Sequence, residues 1–179
     1  MTPNEIHPTR TIHTKATARQ VPDLLQNIFV AELLCPSSCL WLVSPWVSDI
    51  PVIDNRTNGF LAFEPRWVRS QITLSQVLAK LLELGTTIHV ATRPDDHNNA
   101  FLDRMRRLAQ PDGLSFHIHS SDELHEKGIL ADGFYLSGSM NFTFNGISLN
   151  EEVVHFNVDP AIIAENRVRF SARWGGENP

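Results

Sequence analysis

Cys35 and Cys39 are the only cysteines in a chain of 179 residues. That is too few for a disulfide framework, and no second Cys pair completes a zinc-binding set. Both read as buried free thiols. No apolar run is long enough to cross a bilayer, and the N-terminus lacks the apolar core of a secretion signal. The expectation is a cytoplasmic protein without membrane association. Positive charge is not in excess either. A formal net charge of −5 gives no global attraction to a polyanion, so any contact with nucleic acid has to come from a local patch. One or two arginines at a cleft mouth suffice for that while the remote surface stays acidic. No segment repeats, and the length suits one compact core better than two enzyme domains.

What is present reads as alternating helix and strand. Residues 1–20 are polar and without sustained period, which suggests a loosely held arm; the rest, 21–179, reads as a single domain. Leu24, Leu25, Ile28, Leu33 and Leu34 fall at helical spacing over Val21 to Leu34, after a Pro22 suited to a first turn. The short apolar run Cys39 to Val43, closed by Ser44 and Pro45, suits a central strand. Trp46 to Ser70 is irregular but rich in aromatics, and it reads as an ordered loop at the rim of the crevice beyond an early strand. A helix over Leu74 to Leu84, a strand over Thr87 to Ala91 and a helix over Asn98 to Leu108 follow. Closely spaced strands then cover Leu114 to His119, Lys127 to Ala131, Phe134 to Leu136 and Glu152 to Phe156. Asp132 and Gly133 read as a two-residue hairpin turn in which Gly supplies a positive φ. A last helix covers Pro160 to about Trp174, ended by Gly175 and Gly176. This order predicts an α/β fold in layers.

One constellation carries chemistry. His125 and Lys127, two apart on a predicted strand, share a face, and the hairpin brings Ser139 and Asn141 back beside them. An imidazole attacks phosphorus or donates a proton near neutral pH, and a lysine offsets charge on nonbridging oxygens. A hydroxyl and an amide add donors without another titrating charge.

These residues resemble the signature of the phospholipase D superfamily, in which His-x-Lys-x4-Asp is followed by Gly-Ser-x-Asn. Here the pattern is filled by His125, Lys127 and Asp132, then Gly138, Ser139 and Asn141, with one residue fewer than the commonest form between Asp132 and Gly138. The resemblance implies a phospholipase D-like layered fold, a mixed β-sheet flanked by helices. It makes His125 the nucleophile of a covalent phosphohistidine, with Lys127, Ser139 and Asn141 holding the phosphate and Asp132 and Gly138 organising the hairpin. It also implies an acidic residue that orients a histidine; Glu152 fits best, with Glu151 as the alternative. It requires no metal and no cofactor. Family members pair two such motifs about a two-fold axis. A single motif here therefore implies a homodimer with one composite site. A finer resemblance, through the strand end Trp41 to Trp46, is to phospholipase D-like components of bacterial restriction and defence clusters, including those linked to 7-deazapurine-modified DNA. It points to DNA as substrate and to other proteins of a defence complex as partners. The readings are a metal-independent phosphodiesterase and DNA endonuclease, a catalytically silent DNA-binding or scaffolding subunit, or a lipid hydrolase, though no lipid-binding stretch is evident.

Further candidates lie outside the motif. Arg93, Arg104, Arg106 and Arg107 form a basic group suited either to phosphate contact or to a solvated helix face. Trp41, Trp46 and Trp67 are candidates for stacking on bases at the crevice rim, Trp46 foremost, against the commoner role of Trp in filling core or interface space. His117 and His119 alternate on one strand without a third convergent ligand, and His89 and His155 read as sheet residues.

Overall fold

A computed structural model describes residues 9–13, 20–110, 113–148 and 151–175 of the protein. The elements run β1 (Thr9–His13), α1 (Gln20–Leu34), β2 (Cys39–Val43), β3 (Pro51–Asp54), β4 (Gln71–Thr73), α2 (Leu74–Glu83) and β5 (Thr87–Thr92). They continue as α3 (Asp96–Leu108), β6 (Phe116–Ser120), β7 (Gly128–Leu130), β8 (Tyr135–Gly138), α4 (Phe144–Ser148), β9 (Val153–Asn157) and α5 (Pro160–Trp174).

Seven strands form one mixed sheet in the order β1-β9-β8-β7-β2-β5-β6. β2, β5 and β6 are parallel, while β7, β8, β9 and β1 join through antiparallel pairs. β2 is thus the strand at which the sheet changes character. Leu40, Trp41, Leu42 and Val43 are all fully buried, as a strand covered on both faces requires.

α1 presents Val21, Leu25, Ile28, Phe29 and Leu33 to one face of the sheet, where α2 and α3 add Leu78, Leu81, Phe101 and Met105. Each such side chain taken from water stabilises the fold by about 1.5–3 kcal/mol. α5 covers the other face, where Ile163, Phe170 and Trp174 pack on Trp41, Val43, Ala91, Leu130 and Tyr135. The result is a mixed sheet between helical layers. The helices start at recognisable caps. Asp95 accepts from the His97 N–H at 2.9 Å, and Asp159 accepts from the Ala161 N–H at 2.8 Å ahead of Pro160.

Four sequence expectations need correction. Thr9–His13, inside the supposed arm, is an edge strand paired with β9; only Ile12 is buried, so its polar side chains hid a backbone ladder that needs none of them. The remainder of the arm, 1–8 and 14–19, lies outside the described residues, as does Gly176 after α5. The irregular segment contains β3, which pairs with β4 across it. Asp132 and Gly133 do turn the hairpin, with the Ala131 N–H donating to the Phe134 carbonyl at 3.0 Å, but Gly133 has no positive φ. The turn is braced instead by the Asp132 carboxylate, which accepts from the Ser38 N–H at 2.7 Å and from Arg167 at 2.8 Å. Lastly, the thiols are free, but Cys35 is exposed and Cys39 half-buried. Burial still pushes the Cys39 thiol up to about 12. No described helix is long and apolar enough to cross a membrane.

Candidate active site

β2, β5 and β6 point their C-terminal ends to the same edge of the sheet as the start of β7, the end of β8 and the start of β9. Residues just beyond those ends meet there. Trp46 follows β2, Arg93 follows β5, His125 and Lys127 precede β7, Ser139 and Asn141 follow β8, and Glu152 precedes β9. An antiparallel neighbour on a parallel half-sheet therefore gathers residues distant in sequence at one crevice.

His125 and Lys127 are not on a strand, as their spacing had suggested, but on the extended lead into β7, which begins only at Gly128. The Lys127 ammonium donates to the His125 carbonyl at 2.7 Å, which ties this lead to itself. Burial lowers the Lys127 pKa; nearby Glu152 opposes that shift and Arg93 adds to it. Lys127 therefore lies within electrostatic reach of both.

Ser139 and Glu152 form a second pair. The Ser139 hydroxyl donates to Glu152 Oε2 and accepts from the Val153 N–H at 3.0 Å. Glu152 is buried and Glu151 exposed, so Glu152 is the one turned inward. With its proton directed at the carboxylate, the Ser139 hydroxyl braces Glu152 as much as it faces the crevice. Gly138 permits this closeness. Its φ is +151°, and a Cβ there would collide with the Val153 carbonyl oxygen. Asn141 Oδ1 lies 3.3 Å from the Ser44 hydroxyl, which also donates to the Trp46 carbonyl at 2.9 Å. Its amide N–H groups are left to donate elsewhere. Behind it, Gly146 of α4 abuts the Asn141 carbonyl so tightly that no Cβ would fit.

The candidates outside the motif divide cleanly. Arg93 reaches the site: its Nε donates to the Leu124 carbonyl at 2.8 Å, and one terminal nitrogen lies 3.0 Å from His125 Nε2 and 3.3 Å from Nδ1. Its guanidinium carbon sits 5.3 Å from the Trp46 ring centroid, so Trp46 comes with it. Arg104 instead pairs with Asp49, in the loop between β2 and β3, at 3.1 Å, and Arg106 with Asp103 along α3 at 2.7 Å. Arg107 is exposed on the same helix. Among the described residues none of these three hydrogen-bonds to the Arg93 and His125 group. Of the irregular segment only its start, Trp46, touches that group.

Asp132 stands at the far end of β7, away from the crevice. His117 and His119 stack with buried His89 under α5, at ring distances of 4.6 and 5.2 Å from it. Trp41 and Trp67 are core residues. His155, on the exposed face of β9, bonds Thr11 across the β1 pairing at 3.1 Å. No three His, Cys, Asp or Glu side chains converge as a metal site among the described residues. Sequence reading missed Ser44 and Leu124, whose hydroxyl and carbonyl anchor Asn141 and Arg93. A small residue at a strand end and a carbonyl leave no sequence signal of that role.

The family model for the cardiolipin synthase, phospholipase D-like domain matches residues 63–174. Among solved structures, NucT from Helicobacter pylori superposes with a TM-score of 0.61 at 11% identity, covering 92% of this chain and 93% of its own. Nuc from Salmonella typhimurium, a phospholipase D family member, superposes with a TM-score of 0.60 at 13% identity, covering 93% of each chain. Polyphosphate kinase from Porphyromonas gingivalis gives 0.60 at 17% identity, with 96% of this chain aligned to 26% of the kinase. At these identities the likeness is one of fold. No curated protein matches the sequence.

Proposed function

The chain belongs to the cardiolipin synthase-type, phospholipase D-like domain family, and from that membership we propose that it is a phosphodiesterase that cleaves DNA through a covalent phosphohistidine, at a site completed by a second copy of the chain. The observation that carries the reading is the gathering of Arg93, His125, Lys127, Ser139, Asn141 and Glu152 at one edge of the sheet.

In the first step a ring nitrogen of His125 gives its lone pair to phosphorus, an N–P bond forms, and the P–O bond to the leaving group breaks. The leaving oxygen takes a proton from the partner's His125. In the second step water attacks phosphorus, the partner's His125 recovers a proton, and the N–P bond breaks. Lys127 and the Asn141 amide stabilise the charge that gathers on the nonbridging oxygens, the task often given to a cation. Glu152, braced by Ser139, keeps a negative charge beside Lys127. DNA is favoured as substrate because the rim next to His125 offers a guanidinium for phosphate and a flat indole for a base.

The test is hydrolysis in EDTA of a chromogenic phosphodiester and of plasmid DNA by the purified protein. Both reactions should proceed, and His125→Ala should slow them at least about 10²-fold. A wild-type rate equal to that of His125→Ala would make the chain a silent scaffold. Cleavage of phospholipid vesicles in preference to DNA would reassign the substrate, and loss of wild-type activity in EDTA would end the metal-independent mechanism.

A further inference from the structure

Among the arginines at the described surface, Arg93 is held in an unusual way. Arg56, Arg66, Arg104, Arg106, Arg167 and Arg169 each pair with a carboxylate. Arg93, like Arg69 and Arg107, forms no such ion pair among the described residues, although Asp95 is two residues away; unlike them it is anchored, at Leu124, Trp46 and His125. The Asp95 carboxylate is already engaged: it accepts the His97 N–H at 2.9 Å and the Trp46 indole N–H at 3.2 Å, which hold its pKa low with a smaller contribution from nearby Arg93. The effect is to fix Trp46, and the Trp46 face and the Leu124 carbonyl in turn fix Arg93. A cation with one N–H anchored and its terminal nitrogen lying against the ring of the nucleophile is positioned, but its charge is not neutralised. At the crevice it lies within electrostatic reach of another cation, Lys127, whose protonation it opposes, and of Asp95, with which it forms no ion pair.

We propose that Arg93 is a phosphoryl-binding residue of this site: in the free protein its guanidinium rests on the His125 ring, and an incoming phosphate draws it off onto a nonbridging oxygen. The role assigned to Arg93 in the reaction rests on the phosphodiesterase reading. The exchange replaces a contact with the imidazole ring by a hydrogen bond between two opposite charges, the guanidinium and the phosphate. The Nε bond to Leu124 acts as the pivot, so the group need only turn. Any phosphorus within bonding reach of His125 has an oxygen within hydrogen-bonding reach of a nitrogen this close to the ring. Arg93 and Lys127, from the parallel and antiparallel halves of the sheet, then flank one anion. Their mutual repulsion, present in the free site, becomes attraction to a shared charge. The exchange also leaves the His125 ring nitrogens open when, and only when, an anion is present.

The probe is inorganic orthophosphate, followed by titration calorimetry on the wild type, Arg93→Ala, Arg93→Lys and Trp46→Phe, each first shown to be folded by its thermal midpoint. Wild type should bind orthophosphate, Arg93→Ala at least tenfold more weakly, and Arg93→Lys in between, because a point charge cannot keep the Leu124 bond and the indole contact together. In the hydrolysis assay Arg93→Ala should lose about 10²–10³-fold in kcat/KM, the usual cost of one donor to a developing oxyanion, with KM raised because the bond to phosphate already forms on binding. Low millimolar guanidinium should restore part of both the binding and the rate, which a purely structural role would not allow. Wild-type protein that does not bind orthophosphate, or Arg93→Ala that binds it equally well, overturns the proposal. Because binding is read without turnover, an inactive wild type that still binds through Arg93 would sink the enzymatic reading and leave the anion site standing.

Discussion

Asp132 belongs to the motif yet has no place in the crevice, and its contacts say what it does. Its carboxylate ties the start of β2, through the Ser38 N–H and hydroxyl, to α5, through Arg167. Asp132→Ala would leave the Ser38 amide without an acceptor and Arg167 with only the Ala131 carbonyl, at 3.3 Å, at a site only partly open to water. The expected cost is about 1–3 kcal/mol of stability, read as a lower urea midpoint, with unchanged turnover per folded molecule. A variant as stable as wild type but slower would move Asp132 into the chemistry. At this scale the motif is legible in sequence because its members sit close to strand ends whose positions a hairpin already constrains. Glu152 was legible for a similar reason, being at the start of the next strand. Arg93 was legible as the one basic residue of four that falls beyond a predicted strand and not along the helix, but its bonds to the Leu124 carbonyl and the His125 ring leave no sequence signal.

β5 and β6 carry His89, His117 and His119 under α5, an arrangement with a pH signature. His89 is buried between the Trp41 ring, at 5.3 Å, and His117, and its Nδ1 lies 3.0 Å from His119 Nε2. Burial, reinforced by the two neighbouring imidazoles, lowers its pKa to about 4. Burial and His117 lower His119 as well. In the unfolded chain a histidine titrates near ~6.5. Between the two values the unfolded state therefore binds the extra proton, and stability falls as pH falls. The contribution is full above about 6.5 and lost progressively toward about 4, amounting to about 3 kcal/mol for His89. Urea midpoints at pH 7.5 and 4.5 should differ less in His89→Phe than in wild type, since the substitute keeps the stack on Trp41 without a proton site. An equal difference would place the acid sensitivity elsewhere. The elements themselves are legible wherever apolar spacing marks them, as in α1, β2, α2 and α3. β1 is not, because a ladder on an edge strand is made by the backbone and leaves polar side chains in water. Nor is the brace of the hairpin, because its anchor, Ser38, lies far away in sequence.

At the scale of the whole molecule the crevice holds one His125, whereas the proposed mechanism needs a second imidazole. A heterodimer of one native and one His125→Ala chain, isolated by separate tags and assayed on an alkyl diester before subunits exchange, should therefore be nearly inactive. Loss of a positioned acid costs about 10²–10⁴-fold. Half the native rate would mean that each His125 works alone, and the composite site would be abandoned. The layered arrangement is legible from the alternation of helix and strand, since parallel strands need crossover helices and antiparallel ones need only turns, whereas the order of strands in the sheet is not. Which surface meets a second copy is not, because an interface leaves no periodicity.

The sheet also sets a timetable. Among the described strands β1 precedes the rest of the sheet in the chain yet pairs with β9, the last of them, and β7, β8 and β9 stand between β2 and β1. The parallel half with α1, α2 and α3 can collapse while synthesis continues, but it then exposes the β2 edge, a template for unwanted pairing. Lys127, Ser139 and Glu152 all belong to the half that arrives late. Until β9 pairs with β8, Glu152 at its start has no Ser139 hydroxyl to lean on and Gly138 no Val153 carbonyl beside it, so closing the sheet and assembling the crevice are one event.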